Sequence, residues 1–168
     1  WVEVYTHDKG WGHVGIRING TSYDYGRCRG KYSDGPGEEN ASSGLGTGPN
    51  ILVRNGPKAS GATYTTFNFD VCPGLEKNIN EEMQKRFNSG AATWPADVLQ
   101  RFKVPETPLT GNERYMGSDW SVFNNCSTFS KDVVYDAAVK SLWDSDSSSE
   151  ERKEAAAIIW MIGGWTSG

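Results

Sequence analysis

The chain has 168 residues, room for a single domain over residues 1–168 that buries about 70% of its unfolded surface. Its formal net charge is −4, which excludes the basic surface that nucleic acid needs, and its longest apolar run, Ala155 to Ile162, is far too short to cross a membrane. Three cysteines, an odd number, exclude a full disulfide framework and leave at least one thiol free or paired between chains.

Trp1 to Thr6 alternates apolar and polar residues and predicts a strand. No signal peptide is visible, and an opening on Trp1 rather than methionine is expected of an excised domain or a processed chain. His7 follows in the polar run Thr6-His7-Asp8-Lys9-Gly10 and reads as a solvated loop residue. His13 to Ile18 and Thr21 to Tyr25 predict two strands joined by Asn19-Gly20, the strongest two-residue hairpin signal. Residues 30–50, rich in Gly, Ser, Pro, Asp and Glu, predict a mobile surface loop.

Ile51 to Arg54 and Thr63 to Asp70 predict strands around the Asn55-Gly56-Pro57 turn. Asn80 is placed to cap a helix that runs to about Phe87 and stops at Asn88-Ser89-Gly90, and a short helix follows Trp94-Pro95. From Ser127 the apolar residues Phe129, Val133, Val134, Ala137 and Leu142 keep helical spacing. A last helix starts at Ser147-Ser148-Ser149-Glu150-Glu151 and ends at Gly163-Gly164. Cys28 and Cys72 either pair with each other or, in the plainer reading, are two inert, partly buried thiols.

The chemistry concentrates in two segments. Cys126, in Asn124-Asn125-Cys126-Ser127-Thr128-Phe129, sits where an amphipathic helix begins. The positive end of the helix dipole and the open N–H groups of the first turn both favour thiolate, which is the nucleophilic form. His13, in Gly12-His13-Val14-Gly15-Ile16, is its long-range partner for a cysteine–histidine dyad. If Asn19-Gly20 is the turn, Ile18 pairs with Thr21 and His13 with Gly26. His13, Gly15 and Arg17 then share a face with Ser22, Asp24 and Gly26, while Val14, Ile16, Ile18, Tyr23 and Tyr25 face the core. Asp24 becomes a diagonal neighbour of His13 at about 7 to 8 Å between backbones, close enough to orient the imidazole as the third member of a triad. The plainer alternative is a solvated Asp on a polar strand face.

The Cys126 N–H, at the helix start, is the expected donor to an oxyanion. Asn124, Asn125 or the Trp120 indole N–H are candidates for a second donor, with helix capping the competing role for Asn125. Trp120 is also a candidate cleft wall. Two histidines and three scattered cysteines show no metal-ligand spacing, so no metal and no cofactor are expected. Gly44-Leu45-Gly46-Thr47-Gly48 lacks the lysine of a phosphate-binding loop.

The segment Asn125 to Ser130, with an aromatic-containing strand before it, resembles the nucleophile motif of the PPPDE thiol peptidases and of the lecithin retinol acyltransferase relatives, with their Asn-Cys-X-X-Phe core. Gly12 to Ile16, followed by Tyr23-Asp24-Tyr25-Gly26, resembles their histidine strand and the strand after it. The resemblance covers about residues 11 to 29 and 112 to 138. It implies an α+β, circularly permuted papain-like (NlpC-like) fold, with an antiparallel sheet packed against helices and the nucleophile at a helix N-terminus. It also implies thiol hydrolysis of amide bonds. The chain departs from the acyltransferase pattern in lacking a second histidine near His13, which argues against lipid acyl transfer. In size and glycine content it is similar to bacterial peptidoglycan amidases delivered as type VI secretion effectors. That likeness implies a stem-peptide substrate, a cognate immunity protein as partner and action in the periplasm of a target cell. The alternatives are a deubiquitinating or deSUMOylating isopeptidase and a non-catalytic binding module.

Overall fold

The computed structural model describes residues 1–8, 13–27, 49–58, 61–102, 108–117 and 125–164. Six strands form one antiparallel sheet in the order β5-β1-β2-β3-β4-β6, with β1 Val2–His7, β2 His13–Ile18, β3 Thr21–Arg27, β4 Asn50–Arg54, β5 Tyr64–Phe69 and β6 Glu113–Gly117. Four helices among the described residues accompany it: α1 Pro73–Ser89, α2 Ala96–Phe102, α3 Cys126–Trp143 and α4 Ser149–Gly164. The architecture is α+β, as the sequence predicts. No helix among the described residues is long and apolar enough to cross a membrane.

The β2–β3 hairpin has the expected register, with Ile18 opposite Thr21, Arg17 opposite Ser22 and Ile16 opposite Tyr23. Asn19 and Gly20 both take positive φ, +50° and +84°, which a two-residue turn matched to strand twist requires. β4 and β5 flank the Asn55 turn but do not pair with each other. β4 lies between β3 and β6, so the chain crosses the sheet to the far side of β1. Asn55, at φ +53°, holds the crossing start by accepting from the Ser22 N–H at 3.1 Å and donating its own N–H to the Ser22 carbonyl at 2.9 Å.

Alternation then sorts the side chains. Ile16, Ile18, Tyr23, Tyr25 and Leu52 pack against Leu75, Ile79, Met83 and Phe87 of α1, Phe129, Val133, Ala137 and Ala138 of α3 and Ala155 of α4. Each large side chain buried here stabilises the fold by about 1.5–3 kcal/mol. Tyr25 and Phe129 stack with ring centroids 4.3 Å apart and planes 2° from parallel, which ties β3 to the first turn of α3. The neighbours of opposite parity, Ile51 and Val53, join a second apolar cluster with Trp94 and Val98.

α1 begins at Pro73, not at Asn80 as the sequence suggested. Pro at the first helical position satisfies P-G as a helix start, since its missing N–H is one the helix cannot pair. The cap comes from elsewhere in the chain: Glu154 of α4 accepts the Cys72 N–H at 3.0 Å and the Cys72 thiol at 3.1 Å. Asn80 sits in mid-helix instead, accepting from Gln84 at 3.4 Å. Cys72 carries a free thiol. Cys28 and residues 30–48 of the expected loop lie outside the described residues.

Candidate active site

His13, the first residue of β2, and Asp24 of β3 meet as the hairpin register requires: His13 Nε2 lies 2.6 Å from Asp24 Oδ1. A carboxylate only accepts, so Nε2 donates and Nδ1 is left for a second partner. The Cys126 thiol also acts on this imidazole, and each shifts the acidity of the other. α3 packs across β2 and β3, which carries its first residue, Cys126, to the end of the hairpin where His13 stands.

Each group changes the acidity of the others. Burial opposes a charged imidazole at His13, but hydrogen bonds to Asp24 and Cys126 and their negative charges outweigh it, and the pKa is raised to about 9. Burial likewise opposes thiolate at Cys126. The His13 hydrogen bond, the Val14 N–H, the imidazolium charge and the Ser127 N–H overcome that, and the thiol pKa is lowered. The pair therefore favours thiolate and imidazolium. Because the folded His13 value lies above that of free imidazole, about 6.5, this pairing stabilises the fold fully below that pH. The contribution is lost as pH rises through about 9.

The start of α3 is closed by its own side chains. The Asn125 side chain accepts from the Ser127 N–H at 3.0 Å and the Thr128 N–H at 3.3 Å, while Thr128 Oγ1 accepts the Asn125 N–H at 2.8 Å. This is a reciprocal capping box. Asn125 thus takes the capping role, the alternative to donating to an oxyanion. Phe129 N–H donates to the Asn125 carbonyl at 2.9 Å. Asn125→Ala is expected to lower unfolding free energy by about 1 kcal/mol, read from urea melts. An unchanged melt would mean that the Thr128 hydroxyl alone secures the helix start. Asn124 and Trp120, the other upstream candidates, lie outside the described residues.

His7 corrects the sequence reading. It is not a solvated loop residue but the last residue of β1, directly opposite His13 in the β1–β2 register. The two imidazoles stack with centroids 5.0 Å apart and planes 30° from parallel, and Tyr64 meets His7 edge-on at 5.2 Å. A second histidine therefore does stand beside His13, reached through strand pairing rather than through neighbouring sequence. The signal was the alternation of β1, which puts Glu3, Tyr5 and His7 on one face. The missing information was which residue of β2 each would oppose.

No group of three or more His, Cys, Asp or Glu among the described residues is arranged to hold a metal ion. The arrangement brings an imidazole between a carboxylate and a thiol at the end of the β2–β3 hairpin. Comparisons with family models, curated proteins and solved structures return no match.

Proposed function

We propose that this protein is a cysteine hydrolase that cleaves amide bonds, with Cys126 as nucleophile, His13 as proton carrier and Asp24 as the residue that orients it. The observation carrying this reading is His13 held by Asp24 at 2.6 Å, with the Cys126 thiol that opens α3 acting on the same imidazole. The Cys126 thiolate attacks the amide carbon, and the carbonyl electron pair moves onto oxygen, toward the Cys126 N–H. Collapse of that intermediate breaks the C–N bond as His13 Nδ1 protonates the departing amine. Neutral His13 then takes a proton from water, hydroxide adds to the thioester, and the acid and the thiol are restored.

The order of His13 before Cys126, with the antiparallel sheet packed on helices, fits a circularly permuted papain-like fold, and that assignment is part of the proposal. The substrate class we put first, peptidoglycan stem peptides, comes from the resemblance of the two motif blocks to thiol hydrolases and of the chain to secreted amidases. An immunity protein as partner belongs to the same reading.

Iodoacetamide at pH 6 tests the chemistry before any substrate is known. Cys126 should label faster than Cys72, whose thiol the Glu154 hydrogen bond pushes up, and faster than Cys28. His13→Ala should slow Cys126 without stopping it, since the helix terminus still contributes roughly 0.3 to 1 kcal/mol. Labelling of Cys72 or Cys28 first, or a Cys126 rate indifferent to His13, overturns the dyad. Purified wall fragments and tagged ubiquitin, assayed side by side, then decide the substrate class.

A further inference from the structure

Arg54 of β4 and Arg114 of β6 stand on one face of the sheet. Arg114 lies directly opposite Leu52, two residues before Arg54, so the two are diagonal neighbours on adjacent strands. Beneath them is the buried ring of Phe87, in the last turn of α1, and each guanidinium carbon lies 4.4 Å from its centroid. The two charges are therefore no further apart than twice that distance. Gly90 makes the arrangement possible. A Cβ there would fall 2.7 Å from the Cβ of Arg114 and 2.7 Å from the Met116 sulfur, so bare backbone lets the end of α1 press against β6.

Like charges this close repel, and an acid beside them is the ordinary remedy. Arg17 has Glu3, and Arg86 has Glu82 and Asp136. Among the described residues no carboxylate forms an ion pair with Arg54 or Arg114, although the chain has more acids than bases. Arg54 Nε donates to Asn112 Oδ1 at 3.0 Å, and Arg114 Nη1 donates to the Gly111 and Glu113 carbonyls at 3.1 and 2.9 Å. Those bonds steady the guanidiniums without neutralising them. The Glu113 carboxylate is buried on the opposite parity of β6 and accepts the Thr110 N–H at 2.9 Å. The C-terminus of α1 offers about half a negative charge, well short of two full positive ones.

We propose that Arg54 and Arg114 together form a binding site for a phosphate group. The donors left over select the ligand. Arg54 retains both terminal amino groups, and Arg114 retains its Nε–Nη2 edge, which meets two oxygens of one anion side by side. A carboxylate has two oxygens and satisfies one such edge. A phosphate has oxygens for both guanidiniums at once and more charge to set against theirs. Both side chains are half-buried, so they remain open to a ligand from solvent. Their own hydrogen bonds and the Phe87 ring already hold them, so little freedom is lost on binding. The site lies beside the Asn55 turn, at the closed end of the β2–β3 hairpin, whereas His13 stands at the open end. It is independent of the cysteine chemistry.

Inorganic phosphate and glycerol 3-phosphate are the probes, each titrated into the full chain against chloride at equal ionic strength. The readouts are the arginine Nε–H signals by NMR and the melting temperature. The Arg54 and Arg114 signals should shift saturably with millimolar phosphate. The melting temperature should rise, as it does for a ligand that binds only the folded state. Arg54→Lys and Arg114→Lys keep the charge and lose the planar fork, and each should weaken phosphate binding by about tenfold. Their melting temperatures without phosphate should stay close to that of the wild type. A response to inorganic phosphate alone assigns the site to the free ion, and an equal or stronger response to glycerol 3-phosphate assigns it to a phosphate ester. Acetate binding as tightly as phosphate overturns the assignment. So does a phosphate response that chloride reproduces, one that persists when Arg54→Gln and Arg114→Gln are combined, or the absence of any saturable shift.

Discussion

Cys126→Ala and His13→Ala are each expected to abolish hydrolysis, with a loss of at least ~10³-fold in kcat/KM, while both variants stay folded. Cys126 is half-buried at the start of α3 and its side chain is small, so alanine removes the nucleophile and little packing. The capping box is built from Asn125 and Thr128 and survives the change. His13 stands at the start of β2, and its strand pairing runs through the backbone. Because nucleophile and proton carrier act as one unit, the double variant should be little worse than either single one. The measurement is turnover of the best wall fragment or tagged protein by wild type and the three variants, with circular dichroism melts as the folding control. Wild-type turnover from Cys126→Ala, in a protein that melts normally, overturns the catalytic reading.

Asp24→Asn should lower turnover by at least ~10-fold, with KM and melting temperature nearly unchanged. The amide retains the shape of the carboxylate but loses its charge, which is part of what lifts His13 to about 9. One pKa unit corresponds to about 1.4 kcal/mol, or a factor of ten in the population of a protonation state. The sign is definite. A His13 value that falls toward the ordinary ~6.5 brings down the alkaline limb of the pH–rate profile and leaves less imidazolium at neutral pH. An amide turned to present its NH2 group would also force the Nε2 proton onto Nδ1, the nitrogen that must receive the thiol proton. Unchanged turnover with an unmoved alkaline limb would return Asp24 to a plain surface role.

What could be read from the sequence divides along a physical line. The His13–Asp24 contact was accessible because a two-residue Asn-Gly turn sets the register of everything beside it, and side-chain alternation does the rest. The N-terminus of α3 was accessible because its cap is local: Asn125 and Thr128 satisfy each other's backbone. α1 was misplaced for the opposite reason. Its cap is Glu154, on a different helix, so no local pattern at Cys72-Pro73-Gly74 announced a start, and Asn80 stood out in its place. His7 was missed because its place beside His13 depends on how β1 pairs with β2, an offset no short turn motif in the sequence sets. The β4–β5 relation was hidden in the same way, since only the occupied edges of β4 force the chain to cross the sheet.

His13 and Asp24 are eleven residues apart on one hairpin, whereas Cys126 joins them from far down the chain and only when α3 has docked on β2 and β3. Local pairings close fast and distant ones close late, because the longer loop loses more conformational freedom on closure. The imidazole and its carboxylate therefore assemble early, and the thiol meets them last. Until then Cys126 has neither helix terminus nor cation beside it and stays near ~8.5, mostly protonated at neutral pH. On the proposed function, reactivity is thus withheld from the nascent or unfolded chain, which carries an ordinary thiol through synthesis and any translocation in an unfolded form. Docking of a single helix arms it.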